Sequence, residues 1–210
     1  MKRVLSLDPS YTRTGVAVRL NPDDDPGPLS KVYRTPSGTV WGFHSLSIQM
    51  YAKGFPFDVQ YTLEFMDVFN RFVESFPFDF DVVISEMPPP SGSYSAGLYS
   101  LDTALFHEIM TWDAQFFALY PNAINAEIVE SATKEERTEI RESSKRGPSK
   151  KIIRQVASRL IQPAGINPSW NHDEASAWML FKIVADRMKD RKPTPKIFQI
   201  GRGQSDLLWR

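Results

Sequence analysis

Val4–Val18 reads VLSLDPSYTRTGVAV and Val82–Met87 reads VVISEM, and these two short runs decide the architecture. Val4-Leu5-Ser6-Leu7 is an apolar run stopped by the turn-forming trio Asp8-Pro9-Ser10. Gly15-Val16-Ala17-Val18 begins a second run, so residues 3–20 are expected to form a hairpin with a loop of several residues. Asp81–Glu86 is continuously apolar before it ends in a carboxylate, the pattern of a strand covered on both faces. Met87-Pro88-Pro89-Pro90 stops it, because proline supplies no N–H to a ladder. A right-handed crossover makes the first strand and this one parallel neighbours. Asp8 and Glu86 then meet at the strand ends, where open α/β sheets bind ligands.

Working outward, Thr39–Ile48 has the β-branched and aromatic content of a third strand. Val59, Leu63, Met66, Phe69, Phe72, Val73 and Phe76 recur at helical spacing, predicting a helix over 57–76. Leu98, Leu101, Leu105, Ile109, Trp112, Phe116 and Leu119 form a second stripe, predicting a helix to 119 and a fifth strand at Ala123–Val129. Pro148–Ile161 and Asp173–Met188 read as two further helices. Residues 21–38 are rich in Pro, Asp and Gly and read as a surface insertion without a core. Residues 191–210 read as a polar tail ending in the apolar Leu207-Leu208-Trp209. The order β-β-β-α-β-α-β-α-α predicts an α/β domain over 1–190, with a mixed five-stranded sheet and helices on both faces. That is the ribonuclease H-like architecture, which actin-type ATPases share.

The chain of 210 residues contains no cysteine, which excludes disulfides, thiolate catalysis and Cys-ligated metal. Its three histidines show no His-x-x-x-His spacing. No apolar run is long enough for a membrane span, and Met1-Lys2-Arg3 leads directly into a strand, so a soluble cytoplasmic protein is expected. The net charge of zero conceals an asymmetry: residues 1–130 carry 8 Lys and Arg against 16 Asp and Glu, and residues 131–210 carry 17 against 9. A basic half beside an acidic half points to a polyanionic partner, with a solvated helix face as the plainer alternative.

Two carboxylates in one cleft repel unless a cation lies between them, and oxygen ligands without Cys or a His cluster favour Mg²⁺ or Mn²⁺. A third acidic candidate is Asp173-Glu174, opening the last helix in NHDEASAWML. First-turn acids also serve the helix dipole alone. The rest of that helix is apolar nearly all round, so its mouth is expected at the same sheet edge.

Val4–Val18, Val82–Met87 and Asp173–Leu180 (DEASAWML) resemble, in order and spacing, the three acidic motifs of RuvC-type Holliday junction resolvases, phage-encoded members included. The resemblance covers roughly 1–20 and 80–188. It implies a homodimeric endonuclease that nicks four-way DNA junctions in symmetric pairs, within a host cytoplasm if phage-encoded. It implies two Mg²⁺ ions, with Mn²⁺ as substitute, held by Asp8, Glu86 and Asp173, with Glu174 as the other candidate. Two such ions activate and orient a water and stabilise the leaving oxygen. The family's last motif carries two acids three apart; here Asp173 pairs with Ser176, or in another register Asn171 with Glu174, so one acid is missing. Lys151 falls on the family's basic catalytic position. Lys134, Arg137, Arg141, Lys145, Arg146, Lys150, Lys151 and Arg154 are then expected on backbone phosphates. Met87 and Tyr94 are candidates for an apolar wedge at the junction centre, and the 98–119 stripe for a dimer contact.

Other readings keep the fold and change the function. One is a nuclease acting on RNA or on other branched DNA; another is a non-catalytic junction-binding protein in which Ser176 reports lost activity. Transfer of phosphate from ATP is disfavoured, since the chain leaves no room for the second nucleotide-clamping half, and no nucleotide cofactor is expected.

Overall fold

The computed structural model describes residues 1–10, 13–48, 57–87, 96–143, 147–189 and 197–200. Its strands are β1 (Val4–Asp8), β2 (Thr14–Leu20), β3 (Lys31–Arg34), β4 (Val40–Leu46), β5 (Val82–Glu86), β6 (Gln115–Leu119) and β7 (Ile197–Ile200). Its helices are α1 (Phe57–Glu74), α2 (Ala96–Ile109), α3 (Pro121–Ser131), α4 (Lys134–Glu142), α5 (Lys150–Ile161) and α6 (His172–Lys189). Among the described residues the strands form one mixed sheet in the order β3-β4-β2-β1-β5-β6-β7.

The hairpin forms as expected, with Asp8 opposite Gly15. β1 and β5 are parallel neighbours, with Leu7 opposite Ser85, so Asp8 and Glu86 both follow that pair at the same edge. β5 pairs in parallel with β6.

Among the described residues the sheet has seven strands rather than five. β3 lies within 21–38 and pairs with β4, so that segment is part of the sheet. Leu29 packs on the core beside it, and Arg3 holds Asp24 at 2.8 Å. β7 lies in the stretch read as a tail and pairs antiparallel with β6. The second helix ends at Ile109, Gln115–Leu119 is a strand, and Ala123–Val129 belongs to α3. The apolar spacing of Trp112, Phe116 and Leu119 continued the helical phase past the true end. In α3, Pro121 in the first turn is preorganised for a helix, and Ala123, Ile124 and Ile128 face the core.

Two cores flank the sheet. On one face α3, α5 and α6 bury Trp41, Phe43, Trp170, Trp178 and Phe181. On the other, α1 and α2 bury Phe65, Phe69, Phe72, Phe76, Leu101, Leu105 and Ile109. Much of the 98–109 stripe is thus spent on the protein's own core, leaving Tyr99 and Met110 as the exposed large apolar side chains of that region. No helix among the described residues is long and apolar enough to cross a membrane.

Candidate active site

Each acidic side chain is placed by a different element. Asp8 and Glu86 are delivered by the β1–β5 pairing. Asp173 is delivered by α6, which lies against β1 and β2 because the residues between are small. The Ser6 hydroxyl donates to the Ala177 carbonyl at 2.6 Å, tying helix to strand in a fully buried contact. A Cβ placed on Gly15 would stand 2.0 Å from the Asp173 carbonyl oxygen, so only glycine admits the helix mouth there. Gly15 faces Asp8 across the hairpin, which sets Asp173 beside Asp8.

A fourth carboxylate joins them. Asp102, in the second turn of α2, lies beside Asp8 and Glu86. Burial first, then the negative field of Asp8, raises its pKa to about 8. Burial, then Asp173, raises Asp8 to about 7, against a hydrogen bond from Ser176 and the positive field of Lys150. Glu86 is pushed well above the ordinary carboxylate range by burial, then by Asp8 and Asp102. Asp173 is raised mainly by burial and restrained by His172, whose Nε2 is 2.7 Å from its Oδ1, and by Lys150 and Arg13. Sequence reasoning missed Asp102; the available signal was a lone acid between Leu101 and Leu105 on an otherwise apolar stripe.

Glu174, the other candidate ligand, is committed elsewhere. Lys31 donates to both its oxygens, at 2.6 and 2.9 Å, and Ser45 donates to Oε1 at 3.2 Å. Its carboxylate accepts from the Asn171 N–H while Asn171 Oδ1 accepts from the Glu174 N–H, both at 2.9 Å, a reciprocal cap on α6. These partners lie on the β3–β4 side of β2, away from the Asp8–Glu86 edge. Lys151 is exposed and pairs with Glu139 at 3.7 Å. Lys150 is the lysine whose field reaches Asp8, Asp173 and His172.

Lys134, Arg137, Arg141, Lys150, Lys151 and Arg154 are all exposed, although Arg137 also donates to the Ala132 and Glu130 carbonyls. Acidic residues share α4, so the basic surface is strongest along α5. Lys145 and Arg146 lie outside the described residues, as does Tyr94. Met87 is partly buried against the α1–α2 core, and its N–H donates to the Leu119 carbonyl at 2.7 Å.

Among the described residues no three His, Asp or Glu side chains converge at metal-ligand distance. The donor chemistry nonetheless fits a hard divalent cation. Asp8, Glu86, Asp102 and Asp173 supply only oxygen, and their mutual repulsion and burial are what a cation relieves.

The strand order and the acids at its parallel edge define a ribonuclease H-like fold. Within that class the chain has the fold of Thermus thermophilus RuvC, with a TM-score of 0.50 and 13% identity over 90% of this chain and 96% of that one. T. thermophilus RuvC in complex with its Holliday junction substrate aligns with a TM-score of 0.47 and 12% identity, over 89% of this chain and 93% of that one. No protein-family model matches the sequence, and no curated protein matches it.

Proposed function

We propose that this protein is a divalent-metal-dependent endonuclease that cuts branched DNA, with the four-way junction as its substrate and a homodimer as the acting form. The observation that carries the reading is the half-buried carboxylate group at the sheet edge. Asp8 and Glu86 project from adjacent parallel strands, with Asp173 seated beside Asp8 through Gly15. The fold shared with RuvC and the resemblance of the three acidic motifs to those of resolvases support the same substrate class.

Asp8, Glu86 and Asp173, with Asp102 near them, would hold Mg²⁺ or Mn²⁺, which when bound supplies an activated water and stabilises charge on the leaving oxygen. Ser176 stands where the resembling family carries an acid, and its hydroxyl orients Asp8 by donating to it. His172 fixes the Asp173 carboxylate. Lys150, at the open end of α5, offsets negative charge that grows on the phosphate as the bond breaks. Arg154, Lys151 and Arg141 hold backbone phosphates farther out, so binding weakens steeply with salt.

The test is cleavage of a labelled synthetic four-way junction with Mg²⁺ or Mn²⁺ present and absent, beside linear duplex, fork and RNA controls. Metal-dependent paired cuts restricted to the junction, and lost in Asp8→Asn and Glu86→Gln, are expected. Tight junction binding without cleavage transfers the protein to the non-catalytic reading, and preferential cutting of forks or RNA changes the substrate.

A further inference from the structure

The acidic half of the chain, residues 1–130, contains five arginines, and four of them are committed within the fold. Arg3 pairs with Asp24, and Arg71 with Asp67. Arg19 donates to the Lys2 carbonyl and lies over the Phe181 ring, and Arg34 donates to the Pro22 carbonyl. Arg13 is the exception: it is exposed, and among the described residues its guanidinium has neither a hydrogen bond nor an ion pair. Its backbone, by contrast, is fixed. The Ser10 hydroxyl donates to the Arg13 carbonyl at 2.6 Å and accepts from the Arg13 N–H at 3.2 Å. The buried Tyr61 of α1 donates in turn to the Ser10 carbonyl at 3.3 Å. Arg13 stands immediately before β2 and two residues before Gly15, so the alternation of a strand turns both toward α6. Gly15 lies against the Asp173 carbonyl, and the positive field of Arg13 reaches Asp173 and His172. Yet it is His172, not Arg13, that pairs with the Asp173 carboxylate. A braced root and an unspent cationic head, set beside the acidic edge, suit a partner that brings negative charge of its own.

We infer that Arg13 binds the backbone phosphate next to the one being cut, holding the reacting strand from the β1–β2 side of the cleft. The inference rests on the nuclease reading above and adds a DNA contact outside the basic stretch of residues 134–154. The guanidinium suits the role: it is planar, always charged, and offers a fork of donors that matches two phosphate oxygens at once. Position selects the phosphate. The group to be cut must come to where Asp8 and Glu86 meet at the strand ends. The field of Lys150 reaches both Asp8 and Asp173, whereas that of Arg13 acts on Asp173 and His172 and is not among the influences on Asp8. Arg13 therefore lies on the outer side of Asp173, one step along the strand from the reacting group. The clasp by Ser10 and Tyr61 gives the contact its use. A phosphate held by a residue with a fixed backbone aligns its neighbour, and small errors in that alignment cost rate.

The experiment replaces the phosphates around the cut in a four-way junction, one at a time, by neutral methylphosphonates. Cleavage with Mg²⁺ and binding are measured for the wild type, Arg13→Ala, Arg13→Lys, Ser10→Ala and Arg71→Ala. Arg71, near the opposite end of α1 from Tyr61, controls for the loss of one unit of charge. On the unmodified junction Arg13→Ala should lower kcat/KM about thirtyfold, the size of a hydrogen bond to a charged group. The thermal midpoint should change little, because the guanidinium has no partner to lose among the described residues. Arg13→Lys should recover part of the loss, since it keeps the charge and gives up the fork. Ser10→Ala should lose less than Arg13→Ala, and Arg71→Ala should cut as the wild type does. The deciding position is adjacent to the cut: a methylphosphonate there should slow the wild type by the same factor and Arg13→Ala no further. An Arg13→Ala variant that cuts like the wild type overturns the inference and leaves the nuclease reading intact. So does a loss that adds in full to that of every methylphosphonate. If the wild type binds the junction without cutting it, the nuclease reading falls, and the inference, which rests on it, falls with it. A protein that neither binds nor cuts any junction likewise overturns both.

Discussion

Asp173 and Glu174 are consecutive residues at one helix mouth, yet they meet opposite environments. Glu174, 1% exposed, is surrounded by donors: Lys31, the Ser45 hydroxyl and the Asn171 N–H. Among the described residues, the group of Asp8, Glu86 and Asp102 on the other side of β2 has one hydroxyl donor, from Ser176, and the field of one cation, Lys150, against the mutual repulsion of its acids. A buried carboxylate that only supports the fold is given its counter-charge by the chain. A half-buried cluster left short of counter-charge is held in place by the rest of the fold, and on the proposed reading a cation completes it.

Breaking either side of this comparison gives different losses. The largest effect is expected at the acidic edge: Asp8→Asn should lower metal-dependent junction cleavage by about 10³-fold or more, as loss of a group acting in the transition state does. It should leave the thermal midpoint unchanged or raised, because it removes a charge from a repelling cluster. Glu174→Ala should do the reverse to stability, costing about 2–3 kcal/mol in denaturant unfolding. That is below the value for a fully buried pair, because the Lys31 side chain keeps 28% exposure.

The two sides also differ in pH response. Asp8 and Asp102 carry folded pKa values of about 7 and about 8, above their ordinary 3.8. Between about pH 4 and these values the native state binds more protons than the unfolded state, so stability falls as pH rises through that window. Thermal unfolding without divalent metal should show this decline, and added Mg²⁺ should reverse it at pH 8. In Asp8→Asn the decline should shrink. An unchanged midpoint on adding metal would separate the cluster from any cation.

The smallest contrast is between two adjacent lysines. Lys150→Ala should reduce cleavage about tenfold through lost charge stabilisation near Asp8. Lys151→Ala should mainly lower the salt slope of binding by about one phosphate contact, with cleavage at saturating DNA nearly unchanged.

What could be read in advance follows from how local each determinant is. The hairpin, the β1–β5 neighbours and the two terminal helices were legible because apolar runs, turn residues and crossover handedness specify them within a few residues. The boundary from α2 to α3 was not, since Trp112, Phe116 and Leu119 keep a helical phase although Phe116 and Leu119 lie in a strand. β3 was hidden in a polar segment, because an edge strand with alternate residues exposed needs little apolar content. The division of labour between Asp173 and Glu174 depended on Lys31, 143 residues away in sequence, which no local pattern encodes. Asp102 was overlooked for the same reason: a single charge on an apolar stripe acquires meaning only from the strand ends it meets.

Gly15 sets a tolerance for the whole site. A methyl group at that position would have to move from 2.0 Å to an ordinary contact of at least 3.4 Å from the Asp173 carbonyl, displacing the helix mouth by more than an ångström. Metal coordination accepts errors of only about 0.2 Å. The distance between Asp173 and Asp8 is therefore gauged by the absence of one carbon atom on a strand that contributes no ligand. Gly15→Ala should yield a folded, DNA-binding protein whose carboxylates are all present and out of calibration.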